Sequence, residues 1–218
     1  MATLTQIKQI EKYLRDYRKD YLSRKENLSG DEAKARIYIN DLLRKVLGYS
    51  VEEIRTEYVI RGTYADYVVQ VNKKNYFIVE AKALDIDLCD KHVKQAVDYA
   101  ANEGVEWVVL SNGRYVELFR VIFDKPISAQ EVFSFDLSDV SQLNKAAKSL
   151  IYLTKHSMTK GEINGYWQKV DALSVENMTK IIRSKENVDN IRKIVRRTTK
   201  INFDYEDILK SIDKVLDK

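Results

Sequence analysis

The stretch NYFIVEAKA, Asn75 to Ala83, reads as a buried strand until its last third, where Glu80 and Lys82 interrupt an otherwise apolar run. Alternation in a strand puts Ile78, Glu80 and Lys82 on one face and Phe77, Val79 and Ala81 on the other. Taking a carboxylate and an ammonium out of water costs several kcal/mol per ion unless each is paired. The two charges therefore need a reason, either an ion pair closing a strand end or a metal site with a lysine beside it. The letters alone do not choose, since EAK recurs at Glu32 to Lys34 inside a helical pattern.

Upstream lie two further strand-like segments, near 53–60 and 64–71, with Asn72, Lys73 and Lys74 forming the turn into the opening strand. The middle segment carries Asp66 among the β-formers Val68, Val69 and Val71. Asp66 shares a face with Glu80 only if the loop has an odd number of residues, such as Asn72-Lys73-Lys74, or if a bulge intervenes. With that register, two carboxylates and an ammonium converge, as a divalent metal with oxygen ligands requires.

Downstream, Val93, Ala96, Val97 and Ala100 predict a helix from Leu88 to Asn102, with Gly104 just past its end. Two strands follow, Glu106 to Leu110 and Tyr115 to Val121, joined at Asn112-Gly113, and a shorter one spans Val132 to Phe135. Residues 3–26 place Ile7, Ile10, Leu14, Tyr17 and Tyr21 on one seam of a charged helix, which packs on the core or on a second copy. Ser29-Gly30-Asp31-Glu32 has the form of a capping box before a helix that stops at Gly48. The order predicts an α/β fold, a sheet with helices on its faces and helices from about Leu137 onward.

Composition agrees with a folded protein: 218 residues, 44% hydrophobic and 32% charged, with one proline and seven glycines. The single Cys89 excludes an intrachain disulfide, the N-terminal residues lack the apolar core of a signal peptide, and no apolar run is long enough to cross a membrane. A cytoplasmic setting is the expectation. His92, His156 and Cys89 are too few and too scattered for a histidine or zinc centre. The charge of +4 is uneven: Lys180 to Lys200 holds eight basic and two acidic residues, a net of +6 that leaves −2 for the remainder. Such a segment, with Arg192, Lys193, Arg196 and Arg197 at its centre, suits phosphate contacts and equally suits a solvated helix face.

Asp66, then Glu80-x-Lys82, then Gln95-x-x-x-Tyr99 resembles the PD-(D/E)xK nuclease pattern in the form that carries a QxxxY motif. More narrowly, EYVIRGTYADYVV, FIVEAKALDIDL, KQAVDYA and VVLSNGRYVELF are similar, in order, to the N-terminal nuclease domain of the R subunit of type I restriction enzymes. The resemblance implies a restriction-endonuclease-like mixed sheet flanked by helices. It divides the chain into an N-terminal helix (1–28), a nuclease-like domain (29–136) and a C-terminal helical extension (137–218). Asp66 and Glu80 would be Mg²⁺ ligands with the carbonyl of Ala81, Mn²⁺ being a substitute. Lys82 would orient or help deprotonate the attacking water, and Glu32 would correspond to the helical carboxylate. Gln95 and Tyr99 would hold DNA or order the site.

Ala65 stands where the motif's name has proline. No GxxxxGK[ST] occurs, so the chain lacks the phosphate-cradling loop of an ATP-driven motor. The expectation is a Mg²⁺-dependent DNA endonuclease, alone or with other restriction or defence subunits. The competing reading is an inactive nuclease-like fold that binds nucleic acid or a partner. A third is an assembly role for the helical ends.

Overall fold

The computed structural model describes residues 3–60 and 63–216, apart from the side chains of residues 25, 60 and 63. Two compact units are present, Met1–Asn164 and Gly165–Lys218. The first opens with helix α1 (Leu4–Tyr17), whose Thr3 and Gln6 form a capping box. Helix α2 (Glu32–Asp41) continues into a wide turn over Leu42–Val46. Three strands follow, β1 (Ile54–Ile60), β2 (Thr63–Val71) and β3 (Lys74–Ala81). Helix α3 (Asp90–Glu103) then leads to β4 (Trp107–Ser111), β5 (Tyr115–Ile122) and β6 (Ser128–Asp136). Helices α4 (Leu143–Leu150) and α5 (Lys155–Thr159) follow, and α6 (Glu162–Ala172) runs past the boundary between the units.

The sheet is mixed and its six strands lie in chain order. All neighbours are antiparallel except β3 and β4, which run parallel because α3 carries the chain back between them. The α/β expectation and the order of elements along the chain are therefore observed. Ala96, Val97 and Ala100 press α3 onto Val68, Ile78, Val108 and Leu110. Alternation sends Phe77 to the other side, where its ring meets Tyr49 edge-on at 5.6 Å.

The seam of α1 finds the core of its own unit. Ile10, Leu14 and Tyr17 are buried, and the helix packs against α4. Tyr17 also donates from its hydroxyl to the carbonyl of Gly113 at 2.6 Å, tying α1 to the β4–β5 hairpin. Gly113 has φ +84°, and a Cβ there would lie 2.8 Å from the Cβ of Tyr38. Asn112, fully buried, satisfies the loop backbone by accepting from the amides of Arg114 and Tyr115 and donating to the carbonyls of Leu84 and Ile86. The Asn-Gly pair is thus a hairpin turn and a strut between layers.

Two local expectations are corrected. Helix α2 is capped by Asp31, whose side chain accepts from the Lys34 amide, and Glu32 is the first residue of the helix. A cap at Asp31 leaves Ser29 and Gly30 outside, so the Ser29–Glu32 capping box does not form. The β2–β3 turn is also shorter than a three-residue Asn72-Lys73-Lys74 loop. Val71 pairs with Lys74, leaving Asn72 and Lys73 at φ +51° and +65°, the left-handed pair of a tight hairpin turn.

In the second unit, α7 (Val175–Ile182), α8 (Lys185–Thr199) and α9 (Tyr205–Leu216) enclose a small core of Val188, Ile208 and Ile212. Ser174 and Ser184 cap α7 and α8 by accepting from backbone amides three residues on.

Candidate metal centre and hydrolytic site

The tight turn alone would send Asp66 and Glu80 to opposite faces. A bulge prevents this: Gln70 pairs with Asn75 but Val69 pairs with Phe77, so Tyr76 is an extra residue on β3. From there Val68 faces Ile78 and Tyr67 faces Val79. One further step in that register brings Asp66 across from Glu80. The required register is reached by the bulge, the second of the two routes open to the sequence.

Paired positions on β2 and β3 end at Tyr67 and Val79. Beyond them the link is a side chain: Asp66 Oδ2 accepts from the Ala81 amide at 2.8 Å. On its other side β3 stays paired to β4 through Glu80 and Leu110, Ala81 and Ser111, and the Lys82 amide donates to the Ser111 carbonyl at 3.0 Å. The site therefore lies at a fork, where one neighbour strand has parted from β3 and the other still holds it.

Glu80 is buried, with only 1% of its surface exposed. Its Oε1 accepts from Lys82 Nζ at 2.5 Å, while Oε2 has no hydrogen-bond partner among the described residues. A buried carboxylate oxygen without a partner is costly. Burial pushes the Glu80 carboxyl up to about 7, against the pull of Lys82 and with the Asp66 and Glu32 charges adding to it. Asp66 is also raised by burial, opposed by the Ala81 amide and by Arg36. Burial thus makes the charged form of both carboxylates costly in the absence of a further cation.

The remaining expected residues fall into place unequally. Glu32 does not reach Asp66 directly; its Oε1 accepts from Arg36 at 3.0 Å, and the same Arg36 nitrogen donates to Asp66 Oδ1. Gln95 and Tyr99 share a face of α3 and bond each other at 3.1 Å, and Tyr99 leans on the α3 packing cluster. Arg192 pairs with Asp189 at 3.2 Å on the same helix. Lys193, Arg196 and Arg197 are exposed and, with Lys200, line one shallow basic concavity of the second unit.

Arg36 escaped the reading of the sequence. An arginine four residues after Glu32 is an ordinary helix-surface pair, and only the approach of α2 to β2 turns it onto Asp66. The signal available was the spacing to Glu32, which by itself says nothing about a strand.

Among the described residues, no three His, Cys, Asp or Glu side chains converge closely enough to hold a metal by themselves. The donors that would serve are the two carboxylates and, as the resemblance implies, the Ala81 carbonyl, all hard oxygens, and one buried oxygen of Glu80 has no partner among the described residues. That chemistry fits Mg²⁺ or Mn²⁺ and would not suit a soft metal.

A mixed sheet carries an acid on β2 and Glu-x-Lys at the end of β3, with α3 crossing to a parallel β4, which is the order of elements that the sequence resemblance implies. Residues 31–132 match the family described as type I restriction enzyme R protein N terminus (HSDR_N), and over that span the chain resembles this family. No curated protein and no solved structure gives a significant match. No helix among the described residues is long and apolar enough to cross a membrane.

Proposed function

We propose that the chain is a metal-dependent DNA endonuclease whose site is Asp66, Glu80 and Lys82. The observation that carries this reading is the partnerless buried oxygen of Glu80 beside Asp66 and Lys82. A simple ion pair closing a strand end would satisfy its carboxylate; this one leaves half of it unsatisfied in a place where the charge is costly.

Asp66, Glu80 and the Ala81 carbonyl would hold Mg²⁺ or Mn²⁺. When bound, the ion supplies Lewis-acid polarisation of the phosphoryl oxygen and lowers the pKa of a coordinated water. Lys82, held against Glu80 at 2.5 Å, would orient the attacking water and offset charge that develops on the phosphate. The water oxygen would bond to phosphorus as the bond to the leaving sugar oxygen breaks, the water giving up a proton to solvent and the leaving oxygen taking one from it. The amide of Ala81 keeps Asp66 aimed across the fork. Glu32 acts at a distance through Arg36, and Gln95 and Tyr99 would line the DNA approach along α3. The exposed cations Lys193, Arg196 and Arg197 on α8, and Arg192 beside them, would give sequence-independent phosphate contacts. By the resemblance, other restriction subunits are candidate partners that would supply recognition.

Plasmid cleavage in Mg²⁺ or Mn²⁺ by the wild type, Lys82→Ala and Glu80→Ala tests this. Metal-dependent cutting lost in both variants, with folding intact, is the expected result. Cutting that survives either substitution would overturn the site assignment.

A further inference from the structure

Arg36 stands where a cation would otherwise act. Its Nε and Nη2 both donate to Glu32 Oε1, at 3.2 and 3.0 Å, and Nη2 also donates to Asp66 Oδ1. Its Nη1 lies 3.9 Å from Glu57 Oε1. The guanidinium is thus surrounded by three carboxylates from α2, β1 and β2. Its side chain remains 27% exposed, so it has room to leave.

Glu57 reinforces this arrangement. The β1–β2 ladder pairs Thr56 with Tyr67 and resumes at Tyr58 with Ala65, passing over Glu57, which would fall opposite Asp66. Glu57 has φ +50°, a conformation that disfavours a side chain with a Cβ. The backbone of β1 is therefore irregular at the step that faces the metal-ligand candidate.

Each oxygen of the two acids can be accounted for. Asp66 Oδ2 is taken by the Ala81 amide, Asp66 Oδ1 by Arg36 and Glu80 Oε1 by Lys82. Among the described residues, Glu80 Oε2 alone of the four is left. A divalent ion held by Asp66 and Glu80 would contend with the guanidinium for Asp66. We infer that Arg36 is a place-holding cation: it neutralises Asp66 and Glu32 in the metal-free protein, yields Asp66 to the metal, and turns its fork to a DNA phosphate. A guanidinium released at the mouth of the site has the planar donor geometry that matches phosphate. This inference rests on the proposed metal site and assigns a residue outside its motif.

Calorimetric titration of Mn²⁺ into the full chain tests it, with wild type, Arg36→Met, Arg36→Lys and Glu80→Gln compared at equal folding by circular dichroism. Arg36→Met should bind Mn²⁺ five- to tenfold more tightly than wild type, Arg36→Lys should fall between, and Glu80→Gln should not bind. In Ca²⁺, taken as a non-cleaving ion, Arg36→Met should bind a short DNA duplex at least threefold more weakly. Equal or weaker Mn²⁺ binding by Arg36→Met, with Glu80→Gln still silent, would overturn the place-holder role and leave the metal site standing. Unchanged duplex binding would overturn the phosphate contact. Absence of Mn²⁺ binding in wild type and Arg36→Met alike would overturn both the inference and the site on which it rests.

Discussion

Asp66 and Ala81 are joined across the fork of the sheet, carboxylate to backbone amide, at 2.8 Å. The bond takes the place of strand pairing that has ended two positions earlier, at Val79. A metal-ligand candidate on β2 is thereby aimed by the backbone of β3 through Oδ2, while Arg36 holds its Oδ1.

Asp66→Asn and Asp66→Ala should separate aim from charge. The asparagine keeps an oxygen for the Ala81 amide and should fold with little loss of stability while losing Mn²⁺ affinity and cleavage. The alanine leaves that amide without its partner, at a cost of about 1–3 kcal/mol. Urea unfolding of both variants beside metal titration checks the distinction; equal destabilisation of the two would show that the hydrogen bond contributes nothing.

Glu80 is raised to about 7 from an ordinary 4.5 chiefly by burial, so the metal-free fold favours its protonated form. The stability this contributes is fully present below pH 4.5 and is lost as pH rises through about 7. Glu80→Gln removes the titration. In chelator, the stability of Glu80→Gln relative to wild type should therefore grow between pH 4.5 and pH 8, by about 2–3 kcal/mol at 1.36 kcal/mol per unit. Denaturant melts at the two pH values read the difference directly, and a pH-independent gap would contradict it.

Gly113 meets two demands at once, a left-handed backbone and a close approach to Tyr38. Gly113→Ala should lose about 1–3 kcal/mol from the backbone conformation alone, with the 2.8 Å Cβ contact adding to it. Tyr17→Phe should cost about 1–3 kcal/mol by removing the donor to the buried Gly113 carbonyl. Because both act on the strut between α1 and the hairpin, their effects should be less than additive in a double-mutant cycle.

Lys193, Arg196 and Arg197 are exposed on α8. Replacing all three with alanine should weaken DNA binding and flatten its dependence on salt by roughly 2–3 in the log–log slope, at about 0.9 per phosphate contact. Mn²⁺ affinity should not change. Filter binding across a salt series provides the slope; one identical to wild type would mark these residues as a solvated face.

Much of the fold was legible because its signals are local. Alternation in β3, the Asn-Gly hairpin and the apolar stripe of α3 each depend on neighbours a few residues away, and all three appear as expected. The seam of α1 was legible as a buried face, but not what buries it, since α4 lies more than a hundred residues downstream. The cap of α2 was misplaced by two residues because Ser29 and Asp31 are both competent caps, and the local path of the chain chooses between them.

At the site, the sequence by itself determined the chemical types: two carboxylates and a lysine at strand positions where charge is expensive, with an alternation that could bring them together. Whether it does was decided only in three dimensions. Register belongs to a pair of strands, and here the tight turn at Asn72-Lys73 and the extra residue Tyr76 offset each other to set Asp66 opposite Glu80. Arg36 likewise becomes a partner of Asp66 only when α2 is laid beside β2, because an ion pair is a relation between elements that no spacing along the chain records.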